Sequence, residues 1–355
     1  MKNVINCIFL FSTFLVPFSS ITLPPAEEEN QPLPVAGNLF IITTDGFRWQ
    51  ELFTGADSTL LHDTGFTPDT ATMKLLYWSN DPAERRKKLM PFFWSVLATR
   101  GQVYGNRHYE NHVNIANPYA LSYPGYNEIF SGHADLGISS NRKMANPHIN
   151  VLEFLNEQPG LENRVVAFTS WDVFPYILNR KRNQLTLNSG YEPVEEIESE
   201  AQHLINQVQS EAVLDKSATR FDLLTFLAAK EYLKEKLPRV LYLGLGETDE
   251  FAHEGRYDLY LQQAQKVDQM IAELWLWVQN TPGYKDNTSF IITTDHGRGR
   301  AKKWTRHGEF IRGSTQTWLA LLGPGIPALG EIKEKGQLYQ QQLARLIAGL
   351  LGEGF

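Results

Sequence analysis

The chain has 355 residues, 42% of them hydrophobic and 21% charged, with 26 Gly and 18 Pro. That balance excludes a disordered or fibrous polymer and fits one large globular domain, or one domain with an inserted lobe, that buries its own core. A formal net charge of -7, with no basic tract above background, argues against a nucleic-acid-binding surface, although an acidic protein still takes anions where metal ions supply local positive charge.

Met-Lys-Asn followed by the apolar run Val4 to Phe18, then Ser19 and Ser20, reads as a secretory signal peptide over residues 1–20. A polar, Pro-rich lead-in occupies 21–37. The apolar run is shorter than the roughly 20 residues that a membrane span needs. The expectation is therefore a periplasmic or secreted protein with no stable membrane span after cleavage. Cys7, the single cysteine, lies inside this segment, and the apolar stretch follows it instead of preceding it, which disfavours a lipoprotein. The mature chain is left without disulfide or thiol chemistry.

Residues 38–355 read as one domain. Asn38–Thr44 (NLFIITT) is a short β-branched run, the pattern of a buried parallel strand, and it ends on Asp45-Gly46. Helical spacing covers 82–99, and Val103-Tyr104 opens a second strand. A short helix over 124–131 begins just after Ser122. Val151–Asn156 reads as a helix and Arg164–Thr169 as a buried strand. From 193 to 237 the composition turns to Glu, Gln, Lys, Leu and Ala, predicting a helical insertion of two helices. Arg239–Leu245 is the next strand and leads into Glu247-Thr248-Asp249. A long amphipathic helix follows over 256–280, with Leu261, Ala264, Val267, Ile271 and Leu274 on one face. Ser289–Thr294 runs into Asp295-His296-Gly297, 317–322 is a strand stopped by Gly323-Pro324-Gly325, and 338–351 is a closing helix. Alternating strands and helices imply an α/β fold with a mostly parallel central sheet and helices on both faces. Ligands bind beyond the carboxyl ends of such strands.

The chemistry-bearing residues gather at those ends. Asp45 follows one strand, Asp249 and His253 another, and Asp295 and His296 a third, with His307 close behind. Three Asp and three His supply the ligand types for two divalent cations, zinc above all and manganese as the alternative. Singly, each acid reads as a helix cap or turn residue and each His as a surface histidine. Their joint occurrence favours metal.

The order Asp, Ser, Asp-x-x-x-His, Asp-His-Gly and His resembles the alkaline phosphatase superfamily, including its type I phosphodiesterase/nucleotide pyrophosphatase-like and phosphoglycerate-mutase-like metalloenzymes. The likeness runs from about Asn38 to Gly325. It implies the three-layer sandwich of that superfamily, a metal-dependent phosphoric ester hydrolase (monoesterase or diesterase), exported on the signal-peptide reading, and a small-molecule phosphate ester as substrate. By position, Asp249, His253 and His307 would hold one metal, and Asp45, Asp295 and His296 the other. Ser122, in Leu121-Ser122-Tyr123-Pro124-Gly125, would be the catalytic nucleophile that forms a phospho-enzyme; by itself it reads equally as a helix cap. Asn141 would donate to a non-bridging oxygen, or is a loop Asn. Lys181 and Arg182, with Asn127 and Trp171, are candidate substrate-binding residues, a solvated basic loop being the plainer reading of the two cations. No Cys/Ser-x-Pro-x-Arg block is present, which disfavours a sulfatase, and Gly125 stands where phosphodiesterase-type relatives carry Asn. Transfer to an alcohol instead of water, and a non-catalytic metal-binding protein, remain the alternatives.

Overall fold

The computed structural model describes residues 35–195, 199–214, 216 and 218–355. The signal-peptide segment with Cys7 and most of the Pro-rich lead-in lie outside them. Eleven strands occur among the described residues. They are β1 (Asn38–Thr44), β2 (Gln102–Tyr104), β3 (Asn111–Asn114), β4 (Val165–Thr169), β5 (Thr186–Ser189), β6 (Val240–Leu245), β7 (Thr288–Thr294), β8 (Gln316–Thr317), β9 (Leu319–Leu322), β10 (Gly330–Glu331) and β11 (Gly336–Tyr339).

Eight of them form the main sheet in the order β10-β2-β9-β7-β1-β6-β4-β5, and β11-β3-β8 form a small second sheet. β7, β1, β6, β4 and β5 are parallel, while β9 runs antiparallel to both β7 and β2. All seven residues of β1 and of β7 are buried. Their alternation feeds two cores. Phe40, Ile42, Leu241, Leu243, Phe290 and Ile292 pack on one face of the sheet, and Leu39, Ile41, Val240, Tyr242 and Ile291 on the other. A strand buried on both faces reads as a near-continuous apolar run with its few polar side chains hydrogen-bonded, which is why NLFIITT and SFIITT are legible as they stand. Helices close each face, giving three layers.

The long helix Tyr257–Asn280 buries Leu261, Ala264, Val267, Ile271 and Leu274, the stripe its 3.6-residue period sets. The helices Glu200–Gln207, continued as a wider turn over Val208–Ala212, and Asp222–Lys236 occupy the stretch with the shifted composition.

Three expectations need correction. The helix expected over 82–99 is interrupted. Pro82–Leu89 ends at Met90, and Phe93–Leu97 is wound as a π-helix before Ala98–Arg100. Pro91 has no N–H to continue the ladder. The strand expected over 317–322 divides at Trp318: β8 pairs with β3 in the small sheet, while β9 pairs with β7. The closing helix spans only Leu343–Gly349, because Gly336–Tyr339 is drawn into the small sheet beside β3. Three helices, Trp49–Thr54, Ser58–His62 and Thr70–Tyr77, were not apparent in the sequence pattern.

The break at Pro91 is stitched by Asp268 of the long helix, whose carboxylate accepts the Phe92 and Phe93 amides at 2.8 and 2.7 Å. Burial pushes the Asp268 carboxyl up to about 6, against those two bonds. Asp268→Ala would strand both amides and is expected to cost about 2–4 kcal/mol, to be read by denaturant unfolding at neutral pH.

Candidate active site

Because β7, β1 and β6 are adjacent and parallel, their carboxyl ends share one rim. Asp45 leaves β1, Asp295 leaves β7, and β6 leads into the helix Glu247–His253, which carries Asp249 and His253 four residues apart on one face. Gly46 makes the approach feasible. Its φ is +58, and a Cβ there would stand 2.6 Å from Asp249 Oδ1 and 3.2 Å from His296 Cε1. Only glycine fits that backbone and that gap.

The six candidate ligands come together. Within one group, donor atoms of Asp45, Asp295 and His296 lie within 4.8 Å of one another, and those of Asp249, His296 and His307 form a second such group. His253 Nε2 is 3.0 Å from Asp249 Oδ2 and 3.1 Å from His307 Nε2. His296 thus stands between the two sets, 3.3 Å from Asp45 Oδ1 and 4.0 Å from Asp249 Oδ1. Backbone carbonyls orient the rings: His296 Nδ1 meets the Gly297 oxygen and His307 Nδ1 the Ala120 oxygen, each at 2.9 Å. With the proton on Nδ1, each Nε2 offers its lone pair inward.

The electrostatics suit a bound cation. Burial, then the nearby Asp45, drives the Asp295 carboxyl well above its ordinary range. Its Oδ2 is buried without a hydrogen bond, and His296 Nε2 stands 3.5 Å off. Burial alone would lower His296, but Asp295 and Asp45 outweigh it and push the imidazole up to about 9. Burial, reinforced by His296 and Arg298, holds His307 well below its usual value, and burial lowers His253. An orphaned buried carboxylate beside further acids, the neutral His253 and His307, and a His296 whose proton a cation would displace is a donor set for Zn2+ or Mn2+.

Ser122 opens the helix Ser122–Ser131 as its first residue. The cap position belongs to Leu121, with no side-chain cap bond. The Ser122 hydroxyl donates instead to Asp45 Oδ1 at 3.3 Å and lies 3.2 Å from His296 Nε2. Gly125, the departure noted in the sequence, also has a reason here. A Cβ would sit 2.5 Å from the Asp295 carbonyl oxygen, so a larger residue would push the helix off the site. Asn141 Oδ1 accepts the Tyr123 amide at 2.9 Å, which holds its Nδ2 beside the first turn of that helix.

The candidate substrate residues fare differently. Lys181 is exposed and lines a cavity of about 690 Å3 with Lys143, Asp172, Tyr176, Arg180 and Tyr191. Arg182 is occupied by Glu153 at 2.6 and 2.7 Å and by the Asn146 and Pro147 carbonyls. Asn127 is buried, donating to the His133 carbonyl and accepting from Asn146. Trp171 is half-buried against Phe174, just past β4. Neither Arg182 nor Asn127 is free to meet a substrate.

Sequence reasoning missed three contacts. Tyr126, one turn after Ser122, donates to Asp45 Oδ2 at 3.3 Å, and Thr248 donates to the Asp45 carbonyl at 2.6 Å. Arg298, fully buried, pairs with Asp249 and fastens the following loop through the Trp304 and Thr305 carbonyls, both at 2.8 Å. Its place two residues after the Asp-His pair was the available signal.

A model of the type I phosphodiesterase / nucleotide pyrophosphatase family matches residues 138–349, taking in Asn141, Asp249, His253, Asp295, His296 and His307, while Asp45 and Ser122 precede it. No curated protein matches the chain. Among solved structures, wild-type alkaline phosphatase PafA is similar at 10% identity and TM-score 0.60, over 90% of this chain and 96% of that one. The lipoteichoic acid synthase LtaP from Listeria monocytogenes gives 12% and 0.57, over 90% and 72%. A 2-O GAG sulfatase gives 13% and 0.54, over 90% and 71%. At these identities the structures speak for the fold, while the family model covers more than half of the chain. The chain belongs to the type I phosphodiesterase / nucleotide pyrophosphatase family of the alkaline phosphatase superfamily, a family of hydrolases acting on phosphate esters.

Proposed function

We propose that the protein is an exported phosphate-ester hydrolase in which Ser122 is the nucleophile and two divalent metal ions, zinc by preference, are held by Asp249, His253 and His307 and by Asp45, Asp295 and His296. The observation that carries this reading is the Ser122 hydroxyl turned away from capping and toward Asp45 and His296. When bound, such metals would stabilise the serine alkoxide and the charge on the phosphoryl oxygens. The chain's own groups do the rest. Ser122 Oγ attacks phosphorus as the ester P–O bond breaks, and the departing alcohol takes up a proton. Water then displaces Ser122 from the phosphoserine and releases phosphate or its monoester. The helix N-terminus at Ser122 and the Asn141 amide face the non-bridging oxygens.

A preference for diesters is favoured over monoesters. Beside Tyr123 lies a cavity of about 320 Å3 walled by Ile138, Met144 and Pro147 together with Asp135, Ser139, Ser140 and Arg142, giving room for a second ester group with both apolar and polar contacts. Of the two cations considered for the extra monoester charge, Arg182 is committed to Glu153. An aryl phosphate diester is expected to give at least 10-fold higher kcat/KM than the matching monoester, a difference of about 1.4 kcal/mol. The reverse ranking would remove the diester assignment. Phosphate passed to an added alcohol in place of water would mark a transferase.

A further inference from the structure

The chain-wide negative charge hides a local excess of the opposite sign. Between His296 and His307 the sequence is Gly-Arg-Gly-Arg-Ala-Lys-Lys-Trp-Thr-Arg, five cations and no acid. Arg298 is buried on Asp249, but Arg300, Lys302, Lys303 and Arg306 are exposed. This loop is rigidly seated. Trp304 is fully buried, its ring 5.2 Å from Tyr257, 5.4 Å from Tyr260 and 5.7 Å from Phe66. The next loop is tied to it by the Gly297 amide on the Ser314 carbonyl at 2.8 Å. It adds exposed Arg312 and presents Phe310 at 87% exposure.

The opposite side of the entrance presents exposed apolar side chains. Tyr119, adjoining the Ala120 carbonyl that holds His307, bonds through its hydroxyl to the Leu136 carbonyl at 2.6 Å. Tyr123, next to Ser122, does the same to the Met144 carbonyl at 2.6 Å. Leu136 and Met144 are 67% and 65% exposed, and the cavity beside Tyr123, lined by Ile138, Met144 and Pro147 with Asp135 and Arg142, adjoins the nucleophile helix.

We propose that this rim is a docking surface for an anionic phospholipid membrane, and that the site hydrolyses phosphate esters presented at that surface. Cations attract the headgroups, while Phe310, Leu136 and Met144 enter the boundary between headgroups and acyl chains. Glu254 and Glu309, exposed and close in sequence, and Asp135 in the neighbouring cavity are outnumbered by exposed Arg300, Lys302, Lys303, Arg306 and Arg312. A nucleic-acid strand would call for successive aromatic platforms; here Phe310 stands exposed with aliphatic and thioether side chains, while Tyr119 and Tyr123 are tied down through their hydroxyls. Among the described residues no helix is long and apolar enough to cross a membrane, so the contact is interfacial. The substrate claim rests on the reading of Ser122 above; the docking claim does not.

The test is flotation of the purified protein with phosphatidylcholine vesicles, with and without phosphatidylglycerol. Binding is expected only to the anionic vesicles and should weaken as salt rises. The Lys302→Gln/Lys303→Gln variant should bind about 25-fold more weakly, some 5-fold per charge, with its rate on a soluble aryl phosphate unchanged. Phe310→Ser should weaken binding at every salt concentration. Equal flotation with neutral vesicles, unchanged binding by the double lysine variant, or tighter binding to a single-stranded oligonucleotide would each overturn the proposal. An error about Ser122 shows itself separately: Ser122→Ala would then stay active while flotation is unaltered.

Discussion

Ser122→Ala is expected to lower kcat/KM on a phosphate ester by at least about 10^4-fold, the scale seen when a nucleophile is removed and only binding and electrostatics remain. Its metal content should not change, because six other side chains surround the two candidate sites. Ser122→Thr keeps a hydroxyl in the same place and should retain measurable turnover. The contrast with a capping role is quantitative. A lost cap costs about 1 kcal/mol of stability and would leave the rate close to that of the wild type. Trapping the intermediate adds a direct readout: denaturing the enzyme during turnover should leave phosphate on Ser122 in the wild type and none in the alanine variant. Unaltered kinetics in Ser122→Ala would sink the nucleophile assignment and leave the fold untouched.

Metal removal is the second large effect. Chelation at neutral pH should abolish activity by more than about 10^3-fold, and added Zn2+ should restore it. Stability should follow the same course, because metal that binds only the folded chain contributes about 2.7 kcal/mol when present at 100 times its Kd. The pH dependence has a definite sign. In the metal-free chain His296 is raised to about 9, chiefly by Asp295 and Asp45 acting against burial. It is therefore protonated at pH 7, and a metal must displace that proton. Affinity at the site of Asp45, Asp295 and His296 should climb between about pH 6.5 and 9, by up to about 10-fold per unit, then level off. Proton release, measured by calorimetry in two buffers of different ionisation heat, should approach one per ion at neutral pH. A raised histidine also stabilises the metal-free fold below pH 6.5, and that contribution disappears as the pH rises through 9. Chelation without effect on rate would dispose of the metal mechanism.

The candidate site was legible to the extent that strand ends are legible. Asp45 and Asp295 each directly follow a mostly apolar, buried strand run, and Asp249 follows another by way of Gly246-Glu247-Thr248, and a parallel sheet brings such ends to one rim whatever the intervening chain does. Tyr126 and Arg298 were not legible, because a hydroxyl or guanidinium finds its partner only once two distant segments are packed. The same holds for the substrate residues. Arg182 looks like a free cation until Glu153 and the carbonyls of 146–148 are seen to consume it. Asn127 looks available until His133 and Asn146 take both ends of its amide.

Sequence alone determined the α/β class, the apolar signature of four of the five parallel strands (β1, β4, β6 and β7, while the polar β5, Thr186–Ser189, escaped it) and the ligand types, because burial on both faces and metal-donor chemistry are properties of residues and short spacings. Whereas the break at Pro91 was written in the sequence by a residue with no N–H, tertiary structure decided the division of the chain at Trp318 and the strand at Gly336–Tyr339, where pairing with a distant partner overrode local helical preference. It also decided the orientation of Ser122: whether that hydroxyl closes a helix end or faces Asp45 depends on contacts 77 residues apart, beyond the reach of any local pattern.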